Sequence, residues 1–245
     1  MRGVGTLINL ATVLAGGLTG VFIGDRLSER GRRTVMQGLG LVTIAVAVVG
    51  FEPLFDPEEG LKRFVILIVS IIAGGLVGEA VGLEQRLEGA GERLRKRFEK
   101  MTRSKDDGDR GRFVEGFLIA TTVFCVGPLT ILGSVEDGLG LSIRLLAIKS
   151  TLDGFASIGF ASIYGWGVLA SLVSIAVIQG LITASAVLVS PLMTSEVIAQ
   201  LEGTGSLLVL GISLRLLDIV RVRVVSLLPA LVIASVAAGV VEAVA

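Results

Sequence analysis

Apolar residues along this chain fall into long, nearly uninterrupted runs, and the polar residues gather between them. A run of about 20 apolar residues spans the hydrocarbon of a bilayer as a helix, since each residue adds ~1.5 Å of rise. The first such run extends from Gly5 to Gly24 and ends at Asp25-Arg26. A second covers Gln37 to Val49 and stops at an acidic loop, Glu52 to Glu59, where Pro53 and Pro57 disfavour helix. A third runs from Phe64 to Leu83. The fourth begins near Phe113 and meets Gly127-Pro128 in its middle; the fifth covers Leu141 to Ala161, and the sixth Val168 to Leu188. A polar loop is expected from Thr194 to Thr204, then a short apolar stretch from Ser206 to Leu214, broken by Arg215 and Asp218. The last run, Val224 to Val244, holds Pro229. The pattern predicts an all-α polytopic membrane protein of seven spans, or eight if the stretch ending at Arg215 crosses.

Composition sharpens this picture. Of 245 residues, 52% are hydrophobic and only 18% charged, and the mean hydropathy is +0.84. A soluble domain carries roughly a quarter charged residues. The whole length reads as one transmembrane domain, residues 1–245. Its 33 glycines lie within the apolar runs, where small residues let helices approach closely. The first run is long and followed by charges, so a cleavable signal peptide is not expected. Net charge is zero, which gives no general attraction to nucleic acid. Histidine is absent, and Cys125 is the single cysteine. No zinc spacing, phosphate loop, dinucleotide motif or nucleophile–base set is present, so no metal, no cofactor and no enzymatic activity are expected.

Glu84 to Arg112 is the one hydrophilic segment. Leu83, Leu87, Leu94 and Phe98 fall on one stripe, with Arg93, Arg95, Lys96 and Arg97 around them. This predicts a helix lying on the membrane surface and suited to anionic lipid, followed by a charged loop from Ser104 to Arg112. The segment has ten basic residues, and the loop after the first span has four arginines. Lysine and arginine collect on the cytoplasmic side of a membrane. That places the 84–112 segment in the cytoplasm of a cell bounded by its inner membrane, and the N-terminus outside. With eight spans the C-terminus is outside too.

Two internal echoes occur. Gly16, Gly20 and Gly24 in the first span recur as Gly74, Gly78 and Gly82 in the third. Glycines four apart line one helical face, so both faces are expected to pack on each other or on a neighbour; such faces also suit a homo-oligomer. Gly16-Gly17-Leu18-Thr19 resembles Gly127-Pro128-Leu129-Thr130. Opposite entry directions would make spans 1–3 and 4–6 an inverted repeat, with halves of about 1–83 and 113–190. Transporters often place their sites where such repeats meet, at helices interrupted by glycine or proline.

The fifth span carries the candidate chemistry. Lys149 and Asp153 are four apart on one helical face, with Ser150 beside them. A charge inside a span costs at least ~3 kcal/mol on the insertion scale and needs a partner or water. The pair either borders a wet, solute-accessible space or fixes helix packing, and Arg144 and Lys149 can also snorkel to the interface. Gly127-Pro128 removes a backbone donor, freeing carbonyls such as those of Val123 and Phe124 for a cation or polar solute. Asn9 is a ligand-facing amide or an interhelical hydrogen bond. Arg215 either receives an anionic group or marks the interface. A dry, closed Lys149–Asp153 contact, or one among the lipid headgroups, would take the footing from a transport reading and leave only the membrane assignment.

The opening Gly5-Thr6-Leu7-Ile8-Asn9 with Gly16-Gly17 is joined by Phe124-Cys125-Val126-Gly127 and Gly133-Ser134. Lys149-Ser150 with Asp153, Gly211 to Arg215, and Leu228-Pro229-Ala230-Leu231 complete a set that spans nearly the whole chain. Together they resemble the bacterial membrane family catalogued as domain of unknown function 554. Some members carry asparagine two residues before the Leu-Pro-Ala-Leu run, where Ser226 stands here. The resemblance implies a multi-spanning prokaryotic inner-membrane protein and no established activity. The expected function is that of a secondary transporter or channel-like protein for a small ion or polar solute. The competing expectation is a membrane interaction protein that uses its basic surface helix.

Overall fold

The computed structural model describes residues 2–24, 26–102 and 110–244, except for the side chains of 98–102, 110, 126, 128 and 244. Phe98 of the predicted stripe and most of the charged loop from Ser104 therefore lie outside the described side chains. Twelve helices follow one another: α1 (Val4–Gly24), α2 (Glu29–Val49), α3 (Gly60–Val81), α4 (Leu83–Thr102), α5 (Arg110–Val126) and α6 (Pro128–Leu139), then α7 (Arg144–Tyr164), α8 (Trp166–Ala184), α9 (Ala186–Val189), α10 (Ser195–Leu216), α11 (Val224–Leu227) and α12 (Pro229–Val244). A 3-10 turn, Glu52–Phe55, joins α2 to α3. No strand occurs among the described residues.

Among the described residues, six helical segments are long and apolar enough to cross a membrane: α1, α2, α3, α8, α10 and the last, Val224–Ala243. The helices α5 and α6 pass the same test only as a pair, bent by 60° at their break, which makes them a broken span or a re-entrant loop. The helix α7 is 21 residues long but more polar. It runs parallel to α1 along its whole length, with Gly5 against Leu146, Gly16 against Gly154 and Gly24 against Ser162. It also exposes Ile148, Leu152 and Phe155 on one outer stripe. A helix alongside a spanning neighbour, with an apolar outer face, traverses the same layer.

Packing contacts fix the directions. Gly116 and Gly167 of α5 and α8 meet their neighbours near Tyr164 and Phe113, and Gly138 of α6 reaches Thr183. The segments α2, α5–α6, α8 and α12 therefore run opposite to α1, α3, α7 and α10. One end of the bundle collects Arg32, Arg112, Arg215, Arg221 and Arg223. Large exposed apolar side chains cover α1, α2, α3, α7, α8 and α12, but none is found on α5, α6 or α10. Those three are the protein-lined interior.

Several expectations require correction. The predicted polar loop Thr194–Thr204 is instead the first half of α10. Thr194 caps it, its hydroxyl accepting from the Val197 amide. Two of its polar residues find partners inside the protein: Arg63 clasps Glu196 through Nε at 3.1 Å and Nη2 at 2.5 Å, and Gln200 donates to the Arg63 carbonyl. An interior helix needs no apolar surface, which is why hydropathy alone misplaced it. The interval between the fourth and fifth predicted runs is largely helical, as the end of α6. Gly140, at φ 75°, closes that helix with its amide on Asp137 and that of Leu141 on Glu136. The second span begins eight residues earlier than Gln37, at Glu29, because the side chain of Ser28 caps it.

The two glycine faces do not meet each other. Gly16, Gly20 and Gly24 press on backbone carbonyls of α7, whereas Gly74 and Gly78 press on Ala230 and Ser226 at the α11–α12 break. Gly82 has no packing role of that kind: at φ 66° it ends α3 in the left-handed conformation. The amphipathic α4 rests on the bundle through Gly91, against the Phe117 ring. Arg93, Lys96 and Arg97 face outward. The acidic loop before α3 is tightened by Asp56, whose carboxylate accepts from the Glu59 and Glu58 amides and is held below its usual pKa by them.

Candidate functional site

Lys149 and Asp153 form a direct ion pair on the inner face of α7. They are 4% and 7% exposed. One turn separates them, so the pair closes within a single helix. Above it stands the Phe124 ring of α5, 6.0 Å from Lys149 Nζ at its centroid. A cation over an aromatic face is stabilised by the ring quadrupole. Beside it is Asn9 of α1, fully buried, close enough to interact with the Asp153 carboxylate. Ser150 turns inward, its hydroxyl donating to the Leu146 carbonyl.

The ion pair is buried on the inner face of α7. The described cavities are lined by neither residue. The reason is the glycine face of α1: without side chains at Gly16 and Gly20, the helix backbone lies directly on α7. An added Cβ at Gly16 would stand 2.2 Å from the Gly154 carbonyl oxygen.

A polar file nonetheless leads away from the pair. The Asn9 amide donates to Gln179 Oε1 of α8 at 3.1 Å. Both residues are fully buried, and Asn9 Oδ1 and Gln179 Nε2 have no protein partner. One turn further along the same two helices, Thr6 and Thr183 share a hydroxyl contact of 3.2 Å. There Asp137 of α6 accepts from the Thr6 amide in the first turn of α1, a carboxylate where the helix dipole favours one. A vestibule of about 370 Å³ begins at this level, lined by Arg2, Gly3, Thr6, Gly138, Gly180 and Thr183. The file thus runs from an open end to Asn9 and the closed pair.

The break between α5 and α6 lies at the level of the Phe124 ring. Gly127 adopts an extended conformation, and Pro128 is the first residue of α6. The Phe124 carbonyl, expected to be free for a solute, accepts instead from the Thr130 hydroxyl at 3.1 Å. Space beside Gly127 is open: an added Cβ there would meet nothing within 4 Å. Arg215 is not part of this site. It sits at the opposite, Arg-rich end, 3.3 Å from Glu115. Ser226 is buried under Gly78 of α3. Sequence reasoning missed Gln179, Thr6, Thr183 and Asp137. Gln179 carried a signal, since it is the one amide in an otherwise apolar α8.

Two curated proteins resemble the chain along nearly its whole length. The chain is 28% identical over 239 residues to the uncharacterized membrane protein YdfK of Bacillus subtilis, covering 98% of this chain and 97% of that protein. It is 28% identical over 231 residues to the uncharacterized protein YqgA of Escherichia coli, covering 94% of each. No solved structure matches. The family described as protein of unknown function DUF554 matches residues 4–238, and the chain belongs to that membrane protein family.

Proposed function

We propose that the protein is a secondary transporter or channel-like protein for a small ion or polar solute, and that the closed Lys149–Asp153 pair is its occluded site. The observation that carries this reading is that the pair lies within one helix. An ion pair that fixes packing joins two elements. This one closes within α7 and meets α5 and α1 through the Phe124 ring and Asn9, so holding helices together repays little of the cost of burying it. Its surroundings support the same reading. Two amides and a carboxylate oxygen, Asp137 Oδ1, are buried without protein partners along the file to the vestibule. Each such group costs about 1–3 kcal/mol if left unsatisfied. A passing ion or hydrated solute satisfies them in turn.

Alternating access would need α1 and α7 to part near Gly16, or α5 and α6 to pivot at Gly127 beside its open space. The spans α1–α3 run in senses opposite to α5–α6, α7 and α8, the arrangement an inverted duplication requires. The Arg-rich end is cytoplasmic by the distribution of lysine and arginine in an inner membrane, which leaves the vestibule and the N-terminus outside.

The test is proton and monovalent-cation flux into proteoliposomes under an imposed potential. Wild-type protein should conduct one of them. Lys149→Ala and Asp153→Ala should abolish that flux; equal flux in both variants rejects the site. A second reading has one observation of its own: Arg93, Lys96 and Arg97 project outward from α4. A scaffold docking on anionic lipid would lose its phenotype on their neutralisation and keep it in the α7 variants.

A further inference from the structure

At the end of the bundle opposite the vestibule, α2, α5, α7 and α10 diverge around a cavity of about 670 Å³. Five arginines line it: Arg32, Arg33, Arg112, Arg215 and Arg221. Three acids, Glu29, Glu115 and Asp218, oppose them, leaving positive charge in excess. The ion pairing inside is loose. Arg215 Nη2 meets Glu115 Oε1 at 3.3 Å, and Arg32 Nη2 donates to the Gly24 carbonyl at 2.9 Å. The Nε–H groups of both Arg32 and Arg215 are buried and lack any acceptor. Two guanidinium edges on facing helices are thus left with donors to give.

The end of α10 brings Arg215 here by a defined turn. The Asp218 amide bonds to the Arg215 carbonyl, and that of Ile219 to Leu214. This is the left-handed helix ending usually made by glycine, yet Asp218 holds it at φ 55°. It returns the chain over the cavity, so that Asp218 and Arg221 join its wall. Tyr164 and Leu216 supply a less polar side.

We propose that this cavity binds a phosphate-bearing anion. Guanidinium forks match phosphate oxygens two at a time, and the excess charge complements a phosphate group. Basic pockets between spans at the cytoplasmic edge lie at headgroup depth, so the phosphate belongs either to an anionic lipid or to a soluble ligand. The site is independent of the Lys149 file and survives or fails apart from it.

The test uses the full-length protein in neutral detergent and in nanodiscs. Inorganic phosphate is titrated while thermal unfolding is followed, and phosphatidylglycerol retained from mixed phosphatidylcholine nanodiscs is counted by native mass spectrometry. Stabilisation by phosphate, reduced about tenfold in apparent affinity by Arg32→Gln and Arg215→Gln, supports a soluble ligand. Retention of phosphatidylglycerol with no phosphate response, lost in the same variants, supports a lipid headgroup. Arg144→Gln, exposed at the vestibule end of α7, serves as the control and should change neither. Protection of Arg32 and Arg215 from phenylglyoxal, read in the wild-type protein by peptide mapping, keeps the test decisive if a variant does not fold. No response to either probe and no protection, or equal loss in the Arg144 control, overturns the proposal.

Discussion

Two ion pairs in this protein differ in what they connect. Arg63 and Glu196 join α3 to α10 at the membrane edge by two hydrogen bonds, and the Pro53 carbonyl takes a third from the same arginine. Every strong donor of that guanidinium serves the meeting of three segments. Lys149 and Asp153 sit deeper, belong to one helix, and are bordered by amides with atoms to spare. The first pair is explained by the architecture it ties together. The second meets α5 and α1 only through the Phe124 ring and Asn9, so architecture explains less of its burial in a layer hostile to charge.

The largest effect expected from this contrast is on stability. Lys149→Met leaves Asp153 buried without its partner and should cost about 3–5 kcal/mol, read as a lowered unfolding midpoint in detergent. The double variant Lys149→Met/Asp153→Leu should recover most of that loss while remaining inactive in flux. Recovery of flux along with stability would break the comparison. Arg63→Gln strands Glu196 at a wetter depth and should cost about 1.5–3 kcal/mol, with flux retained per folded molecule. Loss of flux there would mean that the edge pair gates the file.

A subtler change leaves every charge in place. Gly16→Ala crowds the Gly154 carbonyl next to Asp153 and should cost about 1–3 kcal/mol by forcing α1 from α7. Gly180→Ala, whose added Cβ meets nothing, should be close to neutral in the same unfolding assay. The smallest effect concerns pH. Burial raises the pKa of Glu84, at the start of α4, above its ordinary 4.5, against the opposing charges of Arg223 and Arg215. The folded protein therefore holds that proton more tightly than the unfolded chain. Stability should fall as pH rises from about 4.5 through the raised value. Glu84→Gln should flatten that slope in unfolding measured across the interval.

The lipid-facing helices were legible because their outer faces must be apolar. α1, α3 and α8 announce themselves by hydropathy, and α4 by its stripe. α10 was not legible as a span, because Glu196 and Gln200 answer to protein partners that no local pattern reveals. The Lys149–Asp153 pair could be read from spacing alone. Its companions could not: Asn9 and Gln179 are 170 positions apart, and only the fold brings them together. The open space expected around the pair was absent because the consequence of glycine at Gly16 depends on which helix it meets.

The parallel seating of α1 on α7 also sets the order of assembly. Parallel neighbours cannot be joined by a tight turn, and the Thr6–Asp137 bond closes 131 positions of chain. The helix α1 must wait in the bilayer, its glycine groove uncovered, while the chain between it and α7 is made. Its final partner arrives only with the seventh helix, so the charged segment enters the membrane against a surface already prepared to receive it.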